Sequence, residues 1–560
     1  MIAQNRMEMG IFMKKIVCII LALLLLTACG APAADTTPTT TVGDGKLHVQ
    51  LGGEEVVFEP WEEAGVPASG TYYLTGDVEL GETVTVEGDL KLHLNGHTVL
   101  AQKDVVMGNM FLIPAGSTMT LYDEPLPEDL VLERPEDEEE DPYPEVPGGK
   151  VASNRVFSGT TTISSMFMVE GELTIAGGHI DATEMNLEDR ANGLAVYVKT
   201  GATLNMTGGV VSGGTTWSFL KPEEVLDENG NVIEIIEPEV YYGYGGAFYV
   251  EKDAVCNLSG GTVWRGSASK GGNIYIAGDD TGSGLLNMSG GELVCGEATA
   301  WGGNICVDGK AVISGGMFKQ GRSYGHGGNM YLSGQLEMTG GIMQDGQCDY
   351  NSLQNKRGGN LAVNGLNATV HITNAEFYRG VAGCKETHGG NIAVFGYGAV
   401  DFEVGEGTIL QEGRGHRGGN IYIGHFLKDI PVENIDYVFT KVTMGGGTTT
   451  YRGANICTDT KNNERRILVT FNDCIATVED PTEVSIAAGA GAPDIARVDF
   501  IINGGTWTDG GFSIYRYSSV TCNGVSLNHC DPGGGGDFIY DEATTGLTPA
   551  TEPTETTGTN

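Results

Sequence analysis

The sequence predicts an all-β fold, a right-handed parallel β-helix (solenoid) of roughly a dozen coils, and three observations carry that expectation. The tripeptide Gly-Gly-Asn recurs with its Asn at Asn273, Asn304, Asn329, Asn360, Asn391 and Asn420, and degenerate copies put Ala247 and Asn455 in the same place, at intervals of 25 to 35 residues. Each copy opens a short run with apolar residues two apart, such as Ile274 and Ile276, Ile305 and Val307, or Ile421 and Ile423, which places both on one face of a strand. A second glycine pair falls inside the early intervals, at Gly260-Gly261, Gly290-Gly291, Gly315-Gly316 and Gly340-Gly341. A unit of three short strands with glycine at its corners cannot bury its own apolar face, whereas stacked units bury it continuously. The Asn series from Asn273 to Asn455 is expected to stack as an amide ladder, each side chain bonding its counterpart one coil on, in a structural part and not a catalytic one.

Taken in order, the chain begins with Lys14 and Lys15 before an apolar run from Ile16 to Leu26, too short for a membrane span and suited to a secretory signal. That run ends in Leu26-Thr27-Ala28-Cys29-Gly30, which resembles the lipobox of bacterial lipoproteins. In that family the cysteine, here Cys29, is lipidated and becomes the mature N-terminus. The resemblance implies a signal peptide over 1–28, a membrane as partner through the lipid on Cys29, and a place on the extracellular face of a bacterial membrane. Residues 29–45, rich in Thr, Pro and Ala, read as a flexible tether. The β-helix domain is expected over 46–540, with Lys46 to Val57 capping its open end and the first coils over 71–101. Residues 541–560 read as a disordered Thr-rich tail with no apolar anchor.

Two insertions interrupt the rhythm. Residues 123–145 hold twelve acidic residues and five prolines against a single Arg, and are expected to form a solvated loop. Calcium capture there is set aside because the acidic spacing lacks the ligand order of known calcium loops. Residues 215–242 carry Asp227-Glu228-Asn229-Gly230-Asn231 between apolar runs and read as a projecting hairpin.

The net charge of -41, from 73 acidic and 32 basic residues, argues against a nucleic-acid partner and favours solubility outside a cell. Of 11 cysteines, Cys18 lies in the signal and Cys29 in the lipobox; the remainder are odd in number and show neither a disulfide framework nor a Cys-x-x-Cys metal pair, so no metal or cofactor is expected. Cys306 and Cys457 share one repeat position and read as small residues tolerated in strands.

Parallel β-helices include pectate lyases and polygalacturonases, so an enzyme is among the classes such a fold admits. Gly325-His326-Gly327 matches a tripeptide of the latter family, but its Asn-Thr-Asp companion is missing, and Asp279-Asp280 sits in a Gly-rich turn without an evident partner. Another series is more informative. The residues three before each repeat position are Tyr244, Lys270, Trp301, His326, Arg357, His388, Arg417 and Arg452, so coils in register would gather aromatic and cationic side chains into a stripe about 34 Å long. Tyr249, Tyr275, Tyr331 and Tyr422 should face outward beside it. One reading is a groove for an extended polysaccharide, with rings stacking on sugars and Arg or His binding acidic groups. The plainer one is that long polar side chains cover a corner.

Between about residues 165 and 510 the glycine punctuation resembles the β-helix repeats of bacterial surface proteins and polymorphic outer-membrane-type adhesins. That resemblance implies a non-catalytic surface protein, an adhesin or glycan-binding module with polysaccharide or a host surface as partner. The alternative is an extracellular polysaccharide lyase or glycoside hydrolase with an atypical site.

Overall fold

The structure, a computed structural model, describes residues 39–51, 54–102, 107–127, 129–135, 143–153, 165–185, 192–219, 223–226, 232–236, 240–348, 356–364, 368–383, 387–396, 400–425, 435–460, 466–480, 484–488, 497–530 and 532–546. The signal peptide over 1–28 and Cys29 lie outside them. Two units are distinguished, Met1–Pro60 and Trp61–Asn560. In the first, Thr39–Gly43, Lys46–Leu51 and Glu54–Trp61 form an antiparallel meander. Asp44 and Gly45, both at positive φ, make the tight turn between the first two strands. Thr39–Gly43 falls inside the stretch read as tether, so that reading ran too far.

The second unit is all-β, and its described residues contain no helix. Its architecture is that of a β-solenoid in which the strands of the four large sheets pair in parallel with their counterparts in the next repeat, while three short pairs of described strands outside those sheets are antiparallel. One repeat shows the path. Ile274–Ile276 lies in one sheet, Leu285–Met288 in a second, Glu292–Val294 in a third and Glu297–Trp301 in a fourth, before the chain returns to the first at Ile305–Val307. The first and third of these sheets each have 15 strands and the fourth has 7. The sequence reading of three strands per unit missed the fourth sheet. Several of its strands are two residues long, such as Arg322–Ser323 and Gln347–Cys348, and two residues cannot display an apolar period.

Register is strict. Ile274, Ile305, Met330, Leu361, Ile392, Ile421, Ile456 and Ile486 are successive partners, and all point into one continuous core where each is fully buried. A side chain of that size contributes about 1.5–3 kcal/mol when buried, and the stack repeats the gain at every coil.

The corner between the third and fourth sheets recurs in a form the sequence did not announce. Arg265, Cys295, Gln320, Asp345, Arg379 and Glu412 all adopt positive φ there, each followed by glycine. A non-glycine residue in that region costs about 1–2 kcal/mol. The Asn series sits against this corner. Asn273, Asn304, Asn329, Asn360, Asn391 and Asn420 accept through Oδ1 the N–H of the glycine that follows each strained residue, at 2.7–3.1 Å. Each Nδ2 donates to the Oδ1 of the next Asn at 2.8–3.0 Å, from Asn273 through to Asn455. The amides therefore form one buried chain of hydrogen bonds that holds the corner in its strained shape.

The acidic insertion departs from expectation. Leu126, Leu130, Leu132, Tyr143 and Val146 pack with Trp264, Val294 and Cys295 on the outside of the solenoid. The Arg265 guanidinium lies 3.7 Å from the centroid of Tyr143. Arg134 donates to the carbonyl of Cys295 at 3.2 Å and lies 3.8 Å from Glu297, and Lys319 pairs with Glu133. The segment is a strap and not a free loop, because its leucines and tyrosine make an apolar face that a charge count hides. Its most acidic stretch, 136–142, lies outside the described residues. In the second insertion Trp217–Phe219 pairs antiparallel with Val240–Tyr242, and Glu223–Leu226 with Val232–Ile236. At the far end, residues 541–546 are part of the fold and not tail: Asp541 accepts from Gly524 N at 2.9 Å and from Thr544, and Thr545 pairs with Ser526. Residues 547–560 are outside the described residues.

Eight described cysteines are buried free thiols. Burial pushes Cys295 up to about 11 and Cys256 up to about 12, so neither presents a thiolate near neutral pH.

One buried histidine yields a pH prediction. His179 lies 2.8 Å through Nε2 from Ser212 Oγ, and burial pushes it down to about 4. Above pH 6.5 it is neutral folded and unfolded, so stability is complete. Between 6.5 and about 4 the unfolded chain takes up the proton and the folded one does not, and stability falls by about 1.4 kcal/mol per pH unit. Denaturant midpoints from pH 8 to 4 should show the advantage of wild type over His179→Gln shrinking below pH 6.5. A constant difference would rule this out.

Candidate functional site

The eight residues three before each repeat position end the strands of the fourth sheet or continue its ladder. Tyr244 pairs with Lys270, Lys270 with Trp301, Trp301 with His326, Arg357 with His388, His388 with Arg417, and Arg417 with Arg452. The carbonyl of every member from Lys270 to Arg452 accepts the N–H of the glycine one coil back, at 2.9–3.1 Å. That glycine is the first of each repeat pair and has positive φ; at the second, a Cβ would meet backbone of the next coil, as at Gly272, 2.2 Å from Gly303 O. The glycine pair thus turns the chain and fixes where the preceding side chain emerges.

Beside this line runs the outer face of the strands after each Asn, where Tyr275, Cys306, Tyr331, Ala362, Ala393, Tyr422, Cys457 and Ala487 are register partners and form a second apolar cluster. The tyrosines face away from the core but are covered. Tyr331 is 2 % exposed and Tyr422 fully buried, because line residues lie over them. Trp301 stacks on Tyr331 at 4.9 Å, Tyr244 on Tyr275 at 4.9 Å, and His388 leans on Tyr422 at 4.5 Å.

The line is not uniform. At its start the Lys270 ammonium lies 5.4 Å from the Tyr244 centroid and 4.4 Å from that of Trp301, and 3.4 Å from Asp308, whose Oδ2 also accepts from Tyr275 OH at 2.6 Å. In the middle, Arg357 and His388 are buried. Burial pushes His326 down to about 3, with Arg357 and Lys356 adding to the effect, and lowers His388 well below the ordinary histidine value, with Arg357 and Arg417 adding to it. Both imidazoles are neutral near pH 7, so they do not supply the positive charge expected of them. The Gly325-His326-Gly327 imidazole is wedged between Tyr331 and Phe395, at 6.4 and 4.6 Å. Trp301, His326, Tyr331, Arg357, Asn364 and Phe395 line a depression of about 230 Å³. At the far end Arg417 pairs with Asp459, and Arg452 lies between the rings of Tyr451 and Tyr515, 5.2 and 5.0 Å from their centroids.

Asp308, Asn364, Phe395 and Asp459 were not singled out from the sequence, yet a signal existed. All four stand four residues after the Asn of their repeat, as does Ser333, which donates to Asp308. Aligning the repeats at that position would have shown it to be a second polar and aromatic series beside the first. Asp308 and Asp459 are five coils apart, on the order of 24 Å. Among the described residues no group of His, Cys, Asp and Glu is placed to hold a metal ion. Asp279 of the Asp-Asp pair is occupied by Lys252 at 2.8 Å in a two-stranded turn. Comparison of the chain with protein-family models, with curated proteins and with solved structures gives no match.

Proposed function

We propose that the chain is a lipid-anchored protein of the bacterial cell surface, a right-handed parallel β-helix that binds an extended glycan or host-surface polymer without chemistry. The right-handed sense follows from the near-universal hand of parallel crossovers within one sheet, and the 15 strands in each of two sheets favour a coil number somewhat above the dozen read from the repeats. The lipobox-like Leu26-Thr27-Ala28-Cys29 supports the anchor.

The observation that carries the binding reading is the register of Tyr244, Lys270, Trp301, His326, Arg357, His388, Arg417 and Arg452 on consecutive coils. A line spanning about 34 Å suits a polymer better than a compact ligand. Its ends do the contacting in this reading, since the middle is packed against the tyrosine face. Asp308 and Asp459 are each engaged by neighbours, and lie far beyond the roughly 5–9.5 Å that separates paired carboxylates in glycoside hydrolysis.

The full chain in mild detergent should be retained on immobilised polysaccharide without releasing oligosaccharides. Tyr244→Ala with Lys270→Ala should weaken retention roughly tenfold, because a ring and the cation stacked on it are removed together. Unchanged retention in a variant with a wild-type unfolding midpoint would discard the line as a binding face, and released sugar would discard the non-catalytic reading.

A further inference from the structure

We infer that the C-terminal end of the line, formed by Tyr451, Arg452, Tyr515, Arg516 and Tyr517, is a subsite for acidic sugars carrying a carboxylate or sulfate. The inference rests on the polymer-binding reading and adds to it the class of polymer. Among the described residues the fourth sheet ends with Thr448–Arg452, so Arg452 is the last described member of the line. Beyond Val484–Ala488, the next strand of the first sheet, lies the turn after Gly511–Ile514. Arg452 Nη1 donates to Ser513 Oγ at 3.1 Å, and the guanidinium lies 5.0 Å from the Tyr515 centroid and 5.2 Å from that of Tyr451. The same turn carries Arg516, 5.4 Å from the ring of Tyr517.

Three features separate this end from the rest. Its rings are open, with Tyr451 47 % and Tyr517 49 % exposed, whereas Tyr331 and Tyr422 are covered. Its charge is unspent: Arg417 is taken by Asp459, but Arg452 and Arg516 form no ion pair with a described carboxylate, in a chain of net charge -41. Its guanidinium is ordered in advance, since Arg452 is held by two rings and one hydroxyl, and less entropy is lost when a ligand arrives. A guanidinium fork takes a carboxylate or sulfate through two parallel N–H bonds, and exposed tyrosine faces stack on sugar rings. An acidic peptide would use the charge and leave the rings without a role, so the glycan is the better fit.

The test uses the full chain in mild detergent with four probes: alginate for carboxylated sugar, heparin for sulfated sugar, dextran for neutral sugar and poly-glutamate for an acidic peptide. Alginate or heparin should bind at least roughly tenfold more tightly than dextran, and Arg452→Gln with Arg516→Gln should abolish that preference, bringing the acidic glycans down to the level of dextran bound by the same variant. Tyr451→Ala with Tyr517→Ala should weaken the preferred acidic glycan at an unchanged unfolding midpoint. Dextran bound as well as both acidic glycans would overturn the subsite and leave the polymer reading standing. No retention of any polysaccharide would remove both. Poly-glutamate bound as tightly as the acidic glycans would assign the patch to an acidic peptide instead.

Discussion

Asn360→Ala is expected to cost about 4 kcal/mol or more of stability, among the largest effects of any single side chain in the fold. Asn360 is fully buried and meets four partners. Its Oδ1 accepts from Gly346 N at 3.0 Å and from Asn329 Nδ2 at 2.8 Å, and its Nδ2 donates to Tyr378 O at 2.9 Å and to Asn391 Oδ1 at 2.8 Å. Alanine leaves all four in a place water does not reach, and each unsatisfied group costs roughly 1–3 kcal/mol, with some recovered by relaxation. The loss also frees the corner at Asp345, whose positive φ is held by the Gly346 bond. Asn287→Ala is the control. Asn287 belongs to an outer ladder on a half-buried face, where Nδ2 donates to Asn257 Oδ1 at 2.9 Å and water can replace what is lost. It should cost less than about 1 kcal/mol. Equal denaturant midpoints for the two variants would show that the buried ladder does not carry the corner.

What the sequence made legible follows from what repeats in it. The Asn at intervals of 25 to 35 residues and the Ile, Leu or Met directly after it mark one strand and its inward face in each coil that carries them, and parallel pairing of Ile274 with Ile305 and onward follows from aligning them. Elements that do not repeat in composition stayed hidden. The fourth sheet is made of pieces as different as Ser267–Lys270, Gln347–Cys348 and Arg414–Arg417, joined only by position. The strap was misjudged because its twelve acidic residues outweigh three leucines and a tyrosine in any sum, while packing is decided by where the leucines fall. For the candidate site, the sequence could place Trp301, Arg357 and Arg452 in one line but not tell the buried from the open. That depends on what lies on the neighbouring face: Phe395 stands against Arg357 at 4.7 Å, whereas Tyr451 is 47 % exposed. The neutral state of His326 follows from the same burial.

Gly390→Ala is expected to be as damaging as loss of the buried amide, by a different route. Gly390 is the second glycine of its repeat pair. A Cβ built there would stand 2.1 Å from Arg414 N and 2.3 Å from Gly419 O, both backbone atoms of the next coil. Flexible side chains can give way to a methyl group, but these atoms cannot, because they belong to the ladder that joins the coils: Gly390 N donates to Gly419 O at 2.8 Å. The coils must part at this corner, and what parts with it includes the Gly389 N to Arg417 O bond that seats the line of side chains. In a solenoid each repeat is stabilised mainly by its neighbours, so damage at one interface lowers the protection of the coils nearest to it before those further away. Amide exchange should therefore accelerate first in Ile392–Gly396 and Ile421–His425, and the denaturant midpoint should fall by the equivalent of about 3 kcal/mol or more. Gly76→Ala, where a Cβ meets nothing within 4 Å, should stay within about 0.5 kcal/mol of wild type. If Gly390→Ala matched Gly76→Ala, the close approach at the corner would be slack in solution, and the register that places Arg417 and Arg452 side by side would need another cause.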